Sequence, residues 1–252
     1  MSPHRFRAWL AICAALLVPT CLPATPVAAQ TFPADRWSAG ERVAVTSTAA
    51  GRSTPTSPPR PTNAYVTHVA TRDRVVFITV DDGWYRDPAF LALVRAKHLP
   101  VSIFLTNAAA SGKHAAYFRA LVAAGAVIEN HTLSHPRLTH VSTAVRTRQI
   151  CAASAHDRTS FGSTPALLRP PYGDWNPSVV ATAHACGMRA VIGWDAVMPS
   201  RGRLQTWGGG QRLHPGDIVL LHFTPGLTHQ VVALLGLIAR QHLRPAPLES
   251  YV

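Results

Sequence analysis

The sequence predicts an α/β domain in which a parallel sheet is covered by helices. From residue 65 onward, short apolar runs alternate with longer amphipathic stretches. Prolines and glycines stand where those stretches start and stop, and four of the apolar runs end directly in chemically active side chains. Alternation of this kind is the signature of strands joined by crossover helices. In such architectures the loops after the strands converge on one face, so residues far apart in the chain can share one pocket.

The strand-like runs lie at 75–80, 101–105, 126–129, 166–168, 190–192 and 218–221. Each is short and apolar, as a strand buried on both faces requires. Helical stretches fill 88–97, 115–123, 143–161, 177–185 and 228–241. Pro88 and Pro177 suit first-turn positions, where the missing N–H costs nothing, and Gly125 and Gly187 suit C-terminal caps. Periodicity does not choose between an open sheet and a closed one.

Residues 1–29 read as an export signal. Arg5 and Arg7 give a positive start, and 8–22 is apolar but short for a span and contains Pro19. Val27-Ala28-Ala29 supplies small residues before a cleavage point near Gln30. An uncleaved anchor is the alternative. Residues 30–64 are rich in Pro, Ser and Thr and read as a linker, or in part as an arm lying over the domain. Residues 65–252 then form one catalytic-sized domain, expected as a monomer with no stable membrane span after signal cleavage.

The formal net charge is +12, falling to +10 without Arg5 and Arg7. The arginines are scattered singly, with no basic run interleaved with aromatics, which argues against a nucleic-acid groove and for an anionic wall polymer as partner. Of four cysteines, Cys151 and Cys186 remain after export. One disulfide and two buried thiols are both open readings, and no CxxC zinc ribbon exists.

The run at 75–80 closes on Asp81-Asp82-Gly83, and about fifty residues later comes Asn130-His131-Thr132-Leu133-Ser134-His135-Pro136. Two imidazoles and a carboxylate suit a borderline divalent ion with one position left for water; the second carboxylate is then free to act as a base. Either half alone is commonplace. Two further segments follow in order: Arg169-Pro170-Pro171-Tyr172-Gly173 and Leu220-Leu221-His222.

With Thr79-Val80-Asp81-Asp82-Gly83 and His131-Thr132-Leu133-Ser134-His135-Pro136, these four motifs resemble those of the polysaccharide deacetylases, the NodB-type carbohydrate esterases of family four. The resemblance runs from about Tyr65 to the C-terminus and implies a distorted (β/α) barrel. It assigns Asp82, His131 and His135 to a divalent metal, zinc or alternatively cobalt, and Asp81 to general base catalysis with Arg169 as its tether. A bound ion of this kind acidifies water and polarises a carbonyl. The resemblance further implies that the Tyr172 backbone N–H serves the oxyanion, that Leu220 shapes the acetyl pocket with Trp194 nearby, and that His222 is the general acid.

One motif departs from the family. A D-x-x-D-W-like element, whose aspartate tunes the acid histidine, is replaced by Gly193-Trp194-Asp195-Ala196-Val197-Met198-Pro199-Ser200-Arg201. Either Asp195 takes that role or His222 lacks a carboxylate partner. Trp84 also stands where a proline commonly follows D-D-G, and Trp207 sits in a Gly-rich loop. His68, His98, His114, His140, His156, His184, His214, His229 and His242 read as surface or packing residues. The expectation is a secreted or cell-wall-associated hydrolase that removes acetyl groups from N-acetylated sugars of peptidoglycan or chitin-type glycans. The alternatives are an O-deacetylase of the acetylxylan type and a glycan-binding member with weak catalysis.

Overall fold

The computed structural model describes residues 65–200 and 203–252. The expected signal and linker at 1–64 lie outside the described residues, as does Arg201 of the altered motif. Ten strands occur in chain order: β1 (Tyr65–Val66), β2 (Val75–Asp82), β3 (Ser102–Leu105), β4 (Val127–Asn130), β5 (Leu167–Leu168), β6 (Ala190–Ile192), β7 (Ala196–Val197), β8 (Gln205–Thr206), β9 (Ile218–His222) and β10 (Arg244–Pro245). Between them run α1 (Pro88–Lys97), α2 (Asn107–Ala110), α3 (Ala115–Ala123), α4 (Thr143–Phe161), α5 (Pro177–Ala185) and α6 (Leu227–Arg240).

The strands form one curled sheet in the order β1-β6-β5-β4-β3-β2-β9-β7-β8, with β10 beside β2. Every pairing is parallel except β7 with β8. The result is the distorted (β/α) barrel that the motifs implied. Its seam lies between β1 and β9. Just past β1, His68 makes an isolated antiparallel bridge to Asp217, and the Val69 N–H donates to the Gly216 carbonyl at 3.0 Å.

Local chemistry explains the elements. Asp87 caps α1 by accepting from the Ala89 and Phe90 N–H groups, with Pro88 behind it, and Asn176 caps α5 ahead of Pro177. Along β2, Val76, Ile78 and Val80 face outward and pack against Phe90, Val94, Phe118, Leu121, Val231 and Leu234. Val75 and Phe77 face the interior with Phe104, Leu167, Ile192, Ile218 and Leu248. Each such side chain stabilises the fold by roughly 1.5–3 kcal/mol. Buried Glu129 on β4 pins the start of β5, accepting from the Ala166 and Leu167 N–H groups at 2.8 and 2.7 Å. Burial pushes its carboxyl well above the usual carboxylate range.

Cys151 on α4 and Cys186 at the end of α5 are joined in a disulfide, with Cα atoms 4.9 Å apart. This selects one of the two readings the sequence left open. The bridge closes a 35-residue separation, which by chain entropy stabilises the fold by about 3 to 4 kcal/mol. A Cys151→Ser, Cys186→Ser variant should lose that amount in urea unfolding, and reductant should shift the wild-type midpoint by the same amount. A midpoint unmoved by reductant would contradict the bridge.

Asp157, fully buried on α4, accepts from Asn107 Nδ2 at 2.6 Å through Oδ1, while its Oδ2 has no partner among the described residues. Burial raises its carboxyl to about 7, against the lowering effect of the Asn107 bond. The folded state therefore holds a proton there that the unfolded chain has already released. Stability falls as pH rises from about 4 to about 7 by this contribution. Asp157→Asn should flatten that slope in melts recorded across the window, and a slope unchanged from wild type would exclude Asp157 as its source.

Candidate active site

Strand register assembles the site before any side chain is considered. Pairing of β2 with β9 sets Asp81 beside His222, and pairing of β4 with β5 matches Asn130 to Leu168, so His131 and Arg169 leave the sheet together. Strict alternation along β2 would send Asp81 and Asp82 to opposite faces. The structure overcomes this with a left-handed turn: φ is +79° at Asp82 and +100° at Gly83. A Cβ on Gly83 would lie 2.6 Å from Leu105 and 3.0 Å from Phe118, so that position requires glycine.

The loop carrying the two histidines is built by its own polar side chains. Asn130 donates to the Ile150 carbonyl and Ser154 Oγ, and its Oδ1 accepts from the Thr132 N–H at 2.9 Å. Thr132 Oγ1 accepts from the His135 N–H, and Thr106 Oγ1 donates to the His131 carbonyl. These bonds sustain positive φ at Thr132 (+73°) and His135 (+64°), which folds both imidazoles toward Asp82.

Asp82, His131 and His135 each offer a ligand atom, all within 4.8 Å of one another. Asp82 Oδ1 lies 3.4 Å from His131 Nε2 and 3.1 Å from His135 Nε2, yet among the described residues it is buried without a hydrogen-bond partner. The three atoms converge but are not directed as hydrogen bonds require. His131 Nδ1 sits 2.7 Å from the Arg169 carbonyl, the bond that fixes a ligating imidazole's tautomer and leaves Nε2 for an ion. Burial works to raise the Asp82 carboxyl, but the two imidazoles and the charge of His222 outweigh it and hold it well below the usual carboxylate range. An orphaned anionic oxygen facing two imidazole nitrogens fits a divalent cation.

Beside this group lies Asp81, almost fully buried. Its Oδ1 accepts from Arg169 Nη1 at 2.7 Å, while Oδ2 faces the ligand group, 4.0 Å from His131 Nε2. Arg169 is completely buried. It also donates to Thr79 Oγ1 (2.7 Å) and to the Gly193 carbonyl (2.9 Å), and its guanidinium lies 4.2 Å from the centre of the Phe104 ring. So both Nη groups of Arg169 are engaged, and the guanidinium aims one oxygen of Asp81 into the cleft.

The cleft encloses about 480 Å³ and is lined by Asp81, Asp82, His131, His135, Arg137, Pro170, Tyr172, Gly173, Trp194, Leu220 and His222. Tyr172 has φ +62° between Pro171 and Gly173. The Trp194 ring seals this turn, since a Cβ on Gly173 would lie 2.9 Å from it.

The sequence profile described as polysaccharide deacetylase matches residues 68–191. An uncharacterised protein of Streptomyces coelicolor is 40% identical over 191 residues, covering 74% of this chain and 76% of its own length. A chitooligosaccharide deacetylase of Bradyrhizobium is 30% identical over 163 residues, covering 61% of this chain and 73% of the relative. The chain belongs to the polysaccharide deacetylase family. Among solved structures, a family 4 carbohydrate esterase from Streptomyces lividans in complex with acetate superposes with a TM-score of 0.55 at 26% identity, covering 66% of this chain and 86% of that one.

Against this family background, the two readings left open for the altered segment part at Asp195. Instead of orienting His222, its Oδ2 meets His68 Nδ1 at 2.6 Å and its Oδ1 accepts from the Ile218 N–H at 2.9 Å. Asp217 also faces His68 at 3.4 Å. The reason is topological: Asp195 immediately precedes β7, which pairs with β9, so it lies at the barrel seam near the start of β9 while His222 ends that strand. Burial and the neighbouring Asp217 raise the Asp195 carboxyl to about 6, against the His68 bond. His68, read from sequence as a surface or packing residue, is thus a clasp of the seam. His222 makes no side-chain hydrogen bond among the described residues.

Several contributors escaped the sequence reading. Thr79 and the Gly193 carbonyl hold Arg169, Asn130 shapes the histidine loop, and Arg137 lines the cleft. Asn130 and Arg137 flank the histidine motif directly, and that adjacency was the available signal. Trp84 and Trp207 are exposed, and Trp207 Nε1 donates to the Trp194 carbonyl at 2.8 Å.

Proposed function

We propose that this chain is an exported, metal-dependent deacetylase of N-acetylated sugars in a cell-wall or extracellular glycan. The observation that carries the reading is Asp81, held by Arg169, beside the converging ligand atoms of Asp82, His131 and His135. Those three residues would hold the ion, zinc or alternatively cobalt. When bound, it supplies Lewis-acid polarisation of the acetyl carbonyl and lowers the pKa of water.

The chain's own groups do the rest. Asp81 accepts the proton of the attacking water at Oδ2, because Oδ1 is committed to Arg169. The Tyr172 backbone N–H meets the developing oxyanion, in a turn that Pro170 and Pro171 stiffen and whose positive φ Gly173 accommodates. Leu220 and Trp194 pack around the acetyl methyl group. His222 delivers a proton to the departing nitrogen. Export accords with the Cys151–Cys186 disulfide, since such bridges persist in oxidising compartments.

One observation favours a second reading. Among the described residues no side chain hydrogen-bonds to the His222 ring to orient it as a proton donor, and an alkoxide leaves more readily than an amine, so O-acetyl esters of the acetylxylan type are the competing substrates. Acetate release measured by NMR from N-acetylated chitooligosaccharides, peptidoglycan fragments and acetylated xylan separates the two. Release from the N-acetylated glycans supports the proposal; release confined to xylan would replace it with the esterase reading.

A further inference from the structure

Among the described residues lining the cleft, Arg137 is the one permanently cationic side chain. Four side chains form a continuous run of contacts leading outward from the ligand group, edge-to-face between the rings and with the Arg137 guanidinium over the last of them. The His131 and His135 rings are 4.9 Å apart, the His135 and Tyr172 rings 4.6 Å apart, and Arg137 Cζ lies 4.5 Å from the centre of the Tyr172 ring. Arg137 is also only two residues from His135, with Pro136 stiffening the link. The guanidinium is exposed, like the Tyr172 ring it covers, and lies at the rim of the cleft next to the ligand group.

A stacked guanidinium spends a face on the ring and keeps its in-plane N–H donors for an acceptor. No protein group takes them: among the described residues Arg137 donates no side-chain hydrogen bond and lies in no ion pair. The neighbouring carboxylate, Asp174, commits both oxygens to Thr139. A planar fork of donors beside a catalytic cleft matches a carboxylate in two-point geometry. The hydroxyls of a neutral glycan would not offset the desolvation of this charge as well.

We infer that Arg137 is a specificity-determining residue that binds a carboxylate on the substrate. The glycan would then be an acidic N-acetylhexosamine polymer of the muramyl type rather than a neutral chitin-type chain. This rests on the deacetylase reading above and narrows it.

The test compares two tetrasaccharides of equal length, one neutral and N-acetylated throughout, the other alternating with muramyl residues whose lactyl carboxylates are free. Calorimetric binding to the chelated protein and kcat/KM for acetate release from the zinc-loaded protein are both read. The acidic oligomer should bind about tenfold more tightly, the worth of one partly exposed charge-assisted hydrogen bond, and the preference should shrink with added salt. Arg137→Ala should bring the acidic-to-neutral ratio near one, through KM rather than kcat, and Arg137→Lys should keep part of it. Equal binding of the two oligomers by wild type, or a ratio unchanged in Arg137→Ala, would overturn the inference. If the binding preference holds but neither oligomer releases acetate, the inference stands and the N-deacetylase reading falls.

Discussion

Asp81→Asn will keep the divalent ion and lose turnover by on the order of a hundredfold or more. The amide nearly matches the carboxylate in shape, so Arg169 can still donate to Oδ1, and Thr79 and Gly193 still hold the guanidinium. What disappears is an oxygen able to take the proton of the attacking water. The substitution also leaves a fully buried guanidinium without its counter-charge, a loss that can cost several kcal/mol. Metal content and a thermal melt must therefore accompany the rate. A folded, metal-bound and fully active Asp81→Asn protein would move the base role to another group.

The second large effect concerns the ligand group. His131→Ala should weaken metal binding by more than about a hundredfold, beyond what loss of an outer-sphere partner brings. It also removes the ring that bonds to the Arg169 carbonyl, so some of the effect could pass through the fold. His135→Ala separates the two. His135 is more exposed than His131 and its ring carries no comparable backbone bond. It should lose the ion to a similar degree while melting close to wild type. Stoichiometric metal retained by either variant would exclude this triad.

The sequence revealed the fold where periodic elements are long. Helices α1, α3, α4 and α5 span the stretches expected of them, with Pro88 and Pro177 opening two and Gly125 and Gly187 following two, and α6 is displaced by one residue. It was silent on β1, β7, β8 and β10, each two residues long, because two residues carry no period to detect; β5, equally short, was legible only as part of the apolar run 166–168. Of these, β1 and β7 border the seam, and the seam decides Asp195. An aspartate next to a tryptophan in the expected segment is compatible with tuning His222; only the pairing of β7 with β9 reveals that it faces His68 instead.

The site was legible through its motifs rather than through pattern. Alternation along β2 separates Asp81 from Asp82; they are reunited by a positive-φ turn at Asp82 and Gly83, where Leu105 and Phe118, distant in sequence, leave no room for a Cβ. The same is true of Arg169: nothing near it in sequence indicates that it reaches across to a strand 88 residues away. Arg137 stood in plain view beside His135, but a lone arginine after a histidine motif has no meaning until Tyr172 is found beneath it.

The most direct test of the account is a zinc titration of the chelated protein in which bound metal and acetate release from an N-acetylated peptidoglycan fragment are followed together. The expected result is no release without metal, one ion bound per chain, and activity rising in step with that ion. A combined Asp82→Ala, His131→Ala, His135→Ala protein should bind none and release nothing. Acetate release by the fully chelated wild type, or stoichiometric zinc in the triple variant, would contradict it.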